Sequence, residues 1–210
     1  MPRFPSRTTA AVLIAGSIAL CAAALGCSAR APANIDDACS IFGERHGWFD
    51  DARRAEKRWG VPIEVQLAII HQESRFRARA QQPRRRLLGL IPWRRRSSAY
   101  GYTQAVETTW DEYRRATGHR GADRDDFGDA CDFIGWYAAR SSRRLGIAKN
   151  DAYRLYLAYH EGDGGYRRGT YRSKPWLLRV ASKVERRAAR YRRQLAGCRG
   201  RLEHRWRLWW

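Results

Sequence analysis

Strand signals, internal repeats and lysine are all scarce in this sequence of 210 residues. Of the 41 basic residues only four are lysine, at positions 57, 149, 174 and 183, so 37 are arginine. Acidic residues number 21, which gives a net charge of +20. That balance excludes an acidic solvating protein. It favours a polyanionic partner, whether nucleic acid, an acidic membrane face or an anionic polymer.

Several metal and cofactor motifs are absent or incomplete. No CxxC pair occurs, and the His71-Gln72-Glu73 string lacks the Pro-Cys-x-x-Cys that completes a zinc-deaminase pattern. His160-Glu161 lacks the second histidine of a HExxH zinc site, and the glycine-rich segment 161–169 lacks the Lys-Ser/Thr of a phosphate-binding loop. The acidic string 123–132 resembles a calcium loop, but Phe127 occupies a position that needs an oxygen ligand. We therefore expect a capped helix start at 123–132, no metal and no cofactor.

Residues 1–26 have the order of a secretory signal, with a basic start, a charge-free apolar stretch and then small residues. The stretch ends in Ala-Leu-Gly before Cys27, which resembles a bacterial lipobox with its leucine displaced by one position. This predicts a lipid on Cys27 and an outer-membrane lipoprotein that faces the periplasm. An uncleaved membrane anchor is the alternative.

Three cysteines remain after such processing: Cys39, Cys131 and Cys198. An exported protein can oxidise them. We favour a bond between Cys39 and Cys198, because they lie near the two ends of the folded region and domain termini are often close in space. Three free, buried thiols are the alternative.

Helical signals cover most of the mature chain and predict a mainly α fold. Pro and Gly punctuation, capping residues and apolar spacing mark the helices. We expect a membrane tether and first helix over 27–45, a folded domain over 46–195 and a basic aromatic tail over 196–210. The expected helices begin after Asp36 or Asp37 and then span 49–59, 63–76, 110–117 (capped by Thr108 or Thr109), 127–145, 151–160 and 176–195.

The segment 81–98 interrupts the helical pattern. Two arginine triplets bracket an apolar centre that contains glycine and proline, which favours a hairpin-like loop. Two interpretations stay open: an arm that contacts an anionic surface, and a solvated loop whose apolar centre folds back on the domain.

Glu73 stands out on physical grounds. It follows Ile69 by four residues and Ile70 by three, which places its carboxyl beside the apolar stripe of helix 63–76, near the helix C-terminus. Burial and the negative helix end both disfavour the carboxylate, so we expect a raised pKa. A carboxylic acid that stays protonated near neutral pH suits general acid cleavage of an acetal. The competing interpretation is a surface glutamate paired with Arg75 or Arg77.

Three strings in order carry a family resemblance. Glu73-Ser74 ends an isoleucine-rich helix, Gly101-Tyr102-Thr103-Gln104 follows, and Ala158-Tyr159-His160-Glu161-Gly162 comes last. Together they resemble the soluble lytic transglycosylases, lysozyme-like enzymes of bacterial peptidoglycan, and more narrowly their small lipoprotein members. The resemblance spans about residues 46–193. It implies a helical lysozyme-like domain of the SLT or goose type, with 81–98 as a basic loop insertion.

The resemblance also implies roles. Glu73 would be the sole acid and base, Ser74 would hydrogen-bond the sugar near the scissile bond, and Gln104 would line the cleft and bind polar groups of the substrate. Tyr159 would place its hydroxyl beside Glu73. Tyr102 and His160 would also contact the substrate, but both depart from the family's usual residues. Tyr102-Thr103 replaces Leu-Met and would make the cleft wall there more polar, whereas His160 replaces Asn and would change the donor geometry and add a titrating group.

The implied reaction cleaves the bond between N-acetylmuramic acid and N-acetylglucosamine and forms a 1,6-anhydro ring. Alternatives are a lysozyme-type hydrolase, for which Glu161 or Asp163 is a candidate second carboxylate, and a non-catalytic glycan-binding lipoprotein. For these two acids an exposed glycine-rich turn is the favoured interpretation. We expect peptidoglycan strands and a membrane as partners, no nucleic acid, and a monomer.

Overall fold

The computed structural model describes residues 30–81, 86–87, 91–92 and 97–207. The apolar signal, Cys27 and most of loop 81–98 lie outside the described residues. Helices make up nearly all the regular structure of the described chain, so the mainly α prediction is confirmed. None of the described helices combines the length and apolar character needed to cross a bilayer.

The described residues form seven α-helices and one short hairpin. The helices are α1 (Ala38–Glu44), α2 (Trp48–Trp59), α3 (Ile63–Ser74), α4 (Glu107–Thr117), α5 (Phe127–Leu145), α6 (Ala152–Arg168) and α7 (Pro175–Arg207), with a 3₁₀ turn at Thr170–Ser173. The strands β1 (Arg86–Leu87) and β2 (Ile91–Pro92) pair antiparallel. The hairpin expected within 81–98 is therefore confirmed, while the two interpretations of its apolar centre lie outside the described residues.

Helix α3 lies at the centre of the fold. It packs against α2, α5, α6 and α7, and nine of its twelve residues are buried. The sequence predicted a single apolar stripe along this helix. That prediction was too narrow, because a helix that is buried on all sides has no polar face. The buried Gln66 amide nitrogen donates to the carbonyls of Val61 (2.9 Å) and Ala52 (3.3 Å).

Four helix ends differ by two or more residues from those predicted, and in α3, α4 and α6 the cause is a contact distant in sequence or a change of backbone direction. Helix α3 ends at Ser74 because Arg75 and Phe76 adopt positive φ, which carries the Phe76 ring into the core. Helix α4 begins at Glu107, three residues early, and its first N–H donates to the Ser98 hydroxyl (3.1 Å). Helix α6 continues past His160 to Arg168, with its helical path broken at Gly162 (φ 70°, ψ 161°).

The predicted caps of α1 and α5 are confirmed. The Asp37 carboxylate accepts from the Ser40 N–H (2.6 Å), which settles the choice between Asp36 and Asp37. Asp126 accepts from the Asp129 N–H (2.9 Å) at the start of α5, so the acidic string 123–132 is a capped helix start. Both caps satisfy N–H groups that have no partner within the helix.

A disulfide joins the two ends of the domain. Cys39 in α1 is bonded to Cys198 in α7, as the sequence favoured, and Cys131 is a free thiol buried in the core. Helix α7 was expected to end at Leu195, but it continues to Arg207. Arg199 adds an ion pair with Glu56 (2.5 Å) beyond the predicted end. These long-range contacts hold the first part of the expected tail against α1 and α2.

Candidate active site

One groove collects the three strings that the sequence singled out. It has a volume of 620 Å³ and receives Glu73 from the end of α3, Gln104 from the segment before α4, and Tyr159 with His160 from α6. Gln104 and Tyr159 are 31 and 86 residues from Glu73 along the chain, so their meeting is a property of the fold. The remaining lining residues are Ser97, Ala99, Ala105, Val106, Thr109, Phe133, Tyr137, Glu161 and Gly162.

Glu73 is half-buried, and its carboxyl group lines the groove. Burial raises its pKa from 4.5 to about 7, and a hydrogen bond from the Tyr156 hydroxyl partly opposes that rise. No ion pair to Glu73 occurs within the described chain, and Arg77 instead donates to the Ser74 carbonyl (3.0 Å). The raised pKa is confirmed, and the surface-pair interpretation was wrong.

Two tyrosines of α6 flank this carboxyl group. Tyr156, which the sequence reasoning missed, donates to Glu73. The Tyr159 hydroxyl, expected at Glu73, donates to the Thr103 carbonyl (2.7 Å) and so connects the second and third strings. Tyr159 nevertheless lies close to Glu73. Burial is the main cause that raises the pKa of Tyr159, and a negative charge on Glu73 raises it further. The i, i+3 spacing of the two tyrosines on one helix is the signal that could have identified Tyr156.

The second string forms the wall opposite α6. Gly101 has a φ of +78°, and a Cβ there would lie 2.0 Å from the Arg124 carbonyl oxygen, so only glycine fits. Gln104 lines the groove as expected and has a left-handed backbone (φ 52°). Its amide nitrogen donates to the carbonyls of Ala80 (2.8 Å) and Gly101 (3.0 Å). These bonds fix the shape of the wall. They also use the N–H groups of the Gln104 amide within the protein.

Two expected sugar contacts lie outside the groove. Ser74 is 1% exposed, and its hydroxyl donates to the Ile70 carbonyl one turn earlier (3.1 Å). Tyr102 is 3% exposed, with its ring edge-on to Trp48 and Phe127 at centroid distances of 5.8 and 5.7 Å. Both side chains face the core, so the predicted direct contacts of Ser74 and Tyr102 with a sugar were wrong.

The second carboxylate in the groove wall is Glu161. Burial would raise its pKa, but hydrogen bonds from Lys174, Thr170 and His160 outweigh burial and lower the pKa to about 2. The Lys174 ammonium lies 2.7 and 2.9 Å from its two oxygens, and His160 lies at 3.0 Å. Asp163 accepts from the Ser141 hydroxyl (2.6 Å) and pairs with Arg144 (3.2 Å). The expected exposed acidic turn was therefore wrong, because both acids lie within helix α6 and each is paired, Glu161 with Lys174 and Asp163 with Ser141 and Arg144 of α5.

His160 lines the groove and is exposed. Its ring meets the edge of Trp176, the first tryptophan of α7, at a centroid distance of 5.1 Å. Trp176 is 48% exposed, and in the described chain the other large exposed apolar side chain is Val106, which lines the same groove. Apolar surface left open to water is thus concentrated at this groove. No three of the described His, Cys, Asp and Glu residues lie close enough to share a metal ion.

The pKa of Glu73 makes stability depend on pH in a defined direction. The folded protein keeps a proton on Glu73 that the unfolded chain loses above its ordinary value of 4.5, so stability falls as pH rises from 4.5 to about 7. We expect Glu73→Gln to match wild type near about pH 4 and to be more stable by about 1 to 3 kcal/mol near about pH 8, in urea unfolding.

Glu161→Gln is the matched control, because the lowered pKa of Glu161 makes stability depend on pH in the opposite direction. The folded protein stabilises the ionised form of Glu161, so this side chain contributes to stability above its ordinary pKa of 4.5. That contribution is lost as pH falls toward about 2. This variant should therefore be less stable than wild type at neutral pH. Equal stability of Glu73→Gln and wild type in alkaline solution would contradict a buried acid at position 73.

The comparison with known families agrees with this arrangement. A family model described as a transglycosylase SLT domain matches residues 15–198. No curated protein matches the chain. The matched range contains all three strings and every residue of the groove. The chain belongs to the transglycosylase SLT domain family.

Proposed function

We propose that the protein is a peptidoglycan lytic transglycosylase that uses Glu73 as its single acid and base. The observation that carries the proposal is the half-buried carboxyl group of Glu73 in an open groove of a family member, where burial raises its pKa to about 7. An acid of that strength can give up a proton and take one back near neutral pH. The substrate would be the β-1,4 linkage between N-acetylmuramic acid and N-acetylglucosamine.

In the first half of this reaction, Glu73 protonates the glycosidic oxygen as the bond to C1 of the muramic sugar breaks. Positive charge then develops on C1 and on the ring oxygen. The Tyr156 hydroxyl, which donates to Glu73, holds the carboxyl group and stabilises the carboxylate that results. The product that leaves carries the proton on its new hydroxyl.

In the second half, the Glu73 carboxylate removes the proton from the C6 hydroxyl of the same muramic sugar. The C6 oxygen attacks C1 and closes a 1,6-anhydro ring, so water is neither consumed nor released. Glu73 ends protonated, ready for another cycle. One carboxyl group is enough, since the nucleophile belongs to the substrate.

Glu161 is poorly suited to activate water for the competing hydrolysis. Its pKa of about 2 makes its carboxylate a weak base, and Lys174, Thr170 and His160 occupy its oxygens. Paired-carboxylate glycosidases need a free second carboxylate as base or nucleophile. This arrangement favours the transglycosylase over the lysozyme-type hydrolase.

We also propose that the protein is an outer-membrane lipoprotein in the periplasm, with a lipid on Cys27. The signal pattern, the lipobox-like Ala-Leu-Gly-Cys and a disulfide that needs an oxidising compartment support this location. A peptidoglycan substrate lies in the same compartment.

Glu73→Gln should lower the release of muropeptides from purified peptidoglycan by about 10² to 10⁴-fold, because the acid and base of both half-reactions is removed. Wild-type products should carry anhydro ends, lighter by one water than reducing ends in mass spectrometry. Activity should fall as pH rises above about 7, as Glu73 loses its proton. Reducing ends would establish a hydrolase, and undiminished release by the variant would refute catalysis by Glu73.

Trp176 gives a second test, since a pyranose ring can stack on its exposed face beside His160. Trp176→Ala should raise KM for glycan strands about three- to tenfold and leave kcat nearly unchanged. Trp176→Phe, which keeps an aromatic face, is the control and should retain most of the affinity. A fall in kcat at constant KM would place Trp176 in the chemistry instead.

The lipid on Cys27 is tested by metabolic labelling with a fatty-acid probe. We expect label in the wild-type protein and none in Cys27→Ala, which should also leave the membrane fraction in a high-salt wash that removes electrostatic binding. A Cys27→Ala protein that stays membrane-bound after this wash would favour an uncleaved apolar anchor.

A further inference from the structure

A row of basic side chains runs along the outer side of α7. These six residues, the basic stripe, follow one another at intervals of three, four or eight residues, so they fall within about 80° of one helix face and extend over about 33 Å. All six are exposed. They are Arg179, Lys183, Arg186, Arg190, Arg193 and Arg201.

The stripe has little compensating charge. Across the described chain, Arg179, Lys183, Arg186 and Arg193 form no ion pair, and Arg201 donates to the Gly197 carbonyl (3.2 Å). Arg190 lies 3.9 Å from Asp36, which is already paired with Arg187. Like charges one turn apart on a helix repel each other and destabilise it. The stripe therefore opposes folding slightly, and its charge is not explained by the fold.

The opposite face of α7 is fully used. Its buried residues pack against α3 and α6, and they recur at helical spacing: Leu177, Ala181, Val184, Ala188, Tyr191 and Leu195. No residue of α7 belongs to the lining of the groove. A partner on the basic stripe would thus leave both the core and the groove untouched.

The chain enters the domain beside the stripe. The Ile35 carbonyl accepts from the Tyr191 hydroxyl (2.5 Å), the Asp36 carbonyl accepts from the Gln194 amide (3.1 Å), and Asp36 pairs with Arg187. Cys27 precedes Asp36 by nine residues, a span of at most about 32 Å. An anchor at Cys27 would therefore hold the stripe near a bilayer.

We propose that the basic stripe binds the anionic phospholipid headgroups of a bilayer and lays α7 along the membrane surface. A straight row of separated cations matches a flat array of phosphates, and each basic residue near such a surface strengthens binding about fivefold. The binding itself does not depend on lipidation of Cys27 or on catalysis by Glu73. The proposed anchor would add to it, because a lipid chain and a polybasic patch together hold a protein more firmly than either alone.

The test uses residues 31–210, which form one compact unit that contains the whole described core and the disulfide. The stripe variant replaces Arg179, Lys183, Arg186 and Arg193 with Gln. The matched control replaces four exposed arginines elsewhere with Gln, namely Arg115, Arg120, Arg143 and Arg167. Both have the same net charge, and circular dichroism with a free-thiol assay checks that each is folded.

Binding is measured by sedimentation with phosphatidylglycerol-containing vesicles, pure phosphatidylcholine vesicles and purified peptidoglycan sacculi. We expect the wild type and the control to bind the anionic vesicles but not the pure phosphatidylcholine vesicles, and to bind more weakly as salt rises. Binding to sacculi should be the same for all three proteins. The stripe variant should bind the anionic vesicles about 600-fold more weakly, which is fivefold for each of the four residues replaced. Equal binding by the two variants would overturn the proposal. So would a loss confined to sacculi, which would assign the stripe to the cell wall. Muropeptide release from sacculi, followed separately, reports on the proposed catalysis.

Discussion

The desolvation of α3 is the constraint on which the groove depends. The helix is enclosed by four others, so its buried side-chain donors bond to backbone carbonyls, as the Gln66 amide nitrogen and the Ser74 hydroxyl do. Glu73 lies where that enclosed helix reaches the groove. The same burial that stabilises the fold keeps a proton on this carboxyl group near neutral pH. Fold and proposed chemistry therefore arise from a single feature.

The groove also shows how environment divides two glutamates into different roles. Glu73 has one tyrosine hydroxyl as its partner and a pKa near 7, whereas Glu161 has a lysine, a threonine and a histidine, and a pKa near 2. The second group remains ionised and acts as a fixed anchor. Through Lys174 it holds the start of α7, and through His160 it orients the ring that meets Trp176. The rim of the groove is thereby ordered without a ligand.

Local sequence patterns predicted the features that depend on neighbouring residues. The caps at Asp37 and Asp126, the glycine stop after α2 and the buried acid at Glu73 all depend on contacts within about one helical turn or on burial of one face. Several features that depend on distant residues were missed, although the Cys39–Cys198 bond was predicted. Ser98 fixes the start of α4, Cys39 and Glu56 hold the extension of α7, and Tyr156 becomes a partner of Glu73 only when α6 packs beside α3. The predicted sugar contacts of Ser74 and Tyr102 were wrong for the same reason, because the direction of a side chain is set by packing.

The Cys39–Cys198 bond has a mechanical consequence for a domain that is pulled by its N-terminal end. Tension that enters through the first described residues would normally peel α1 away from its neighbours. Here a covalent link passes the load to α7, whose long buried face shares it with α3 and α6. Force would therefore be borne by the most extensive packing in the molecule, and the groove beside Glu73 would keep its shape under strain.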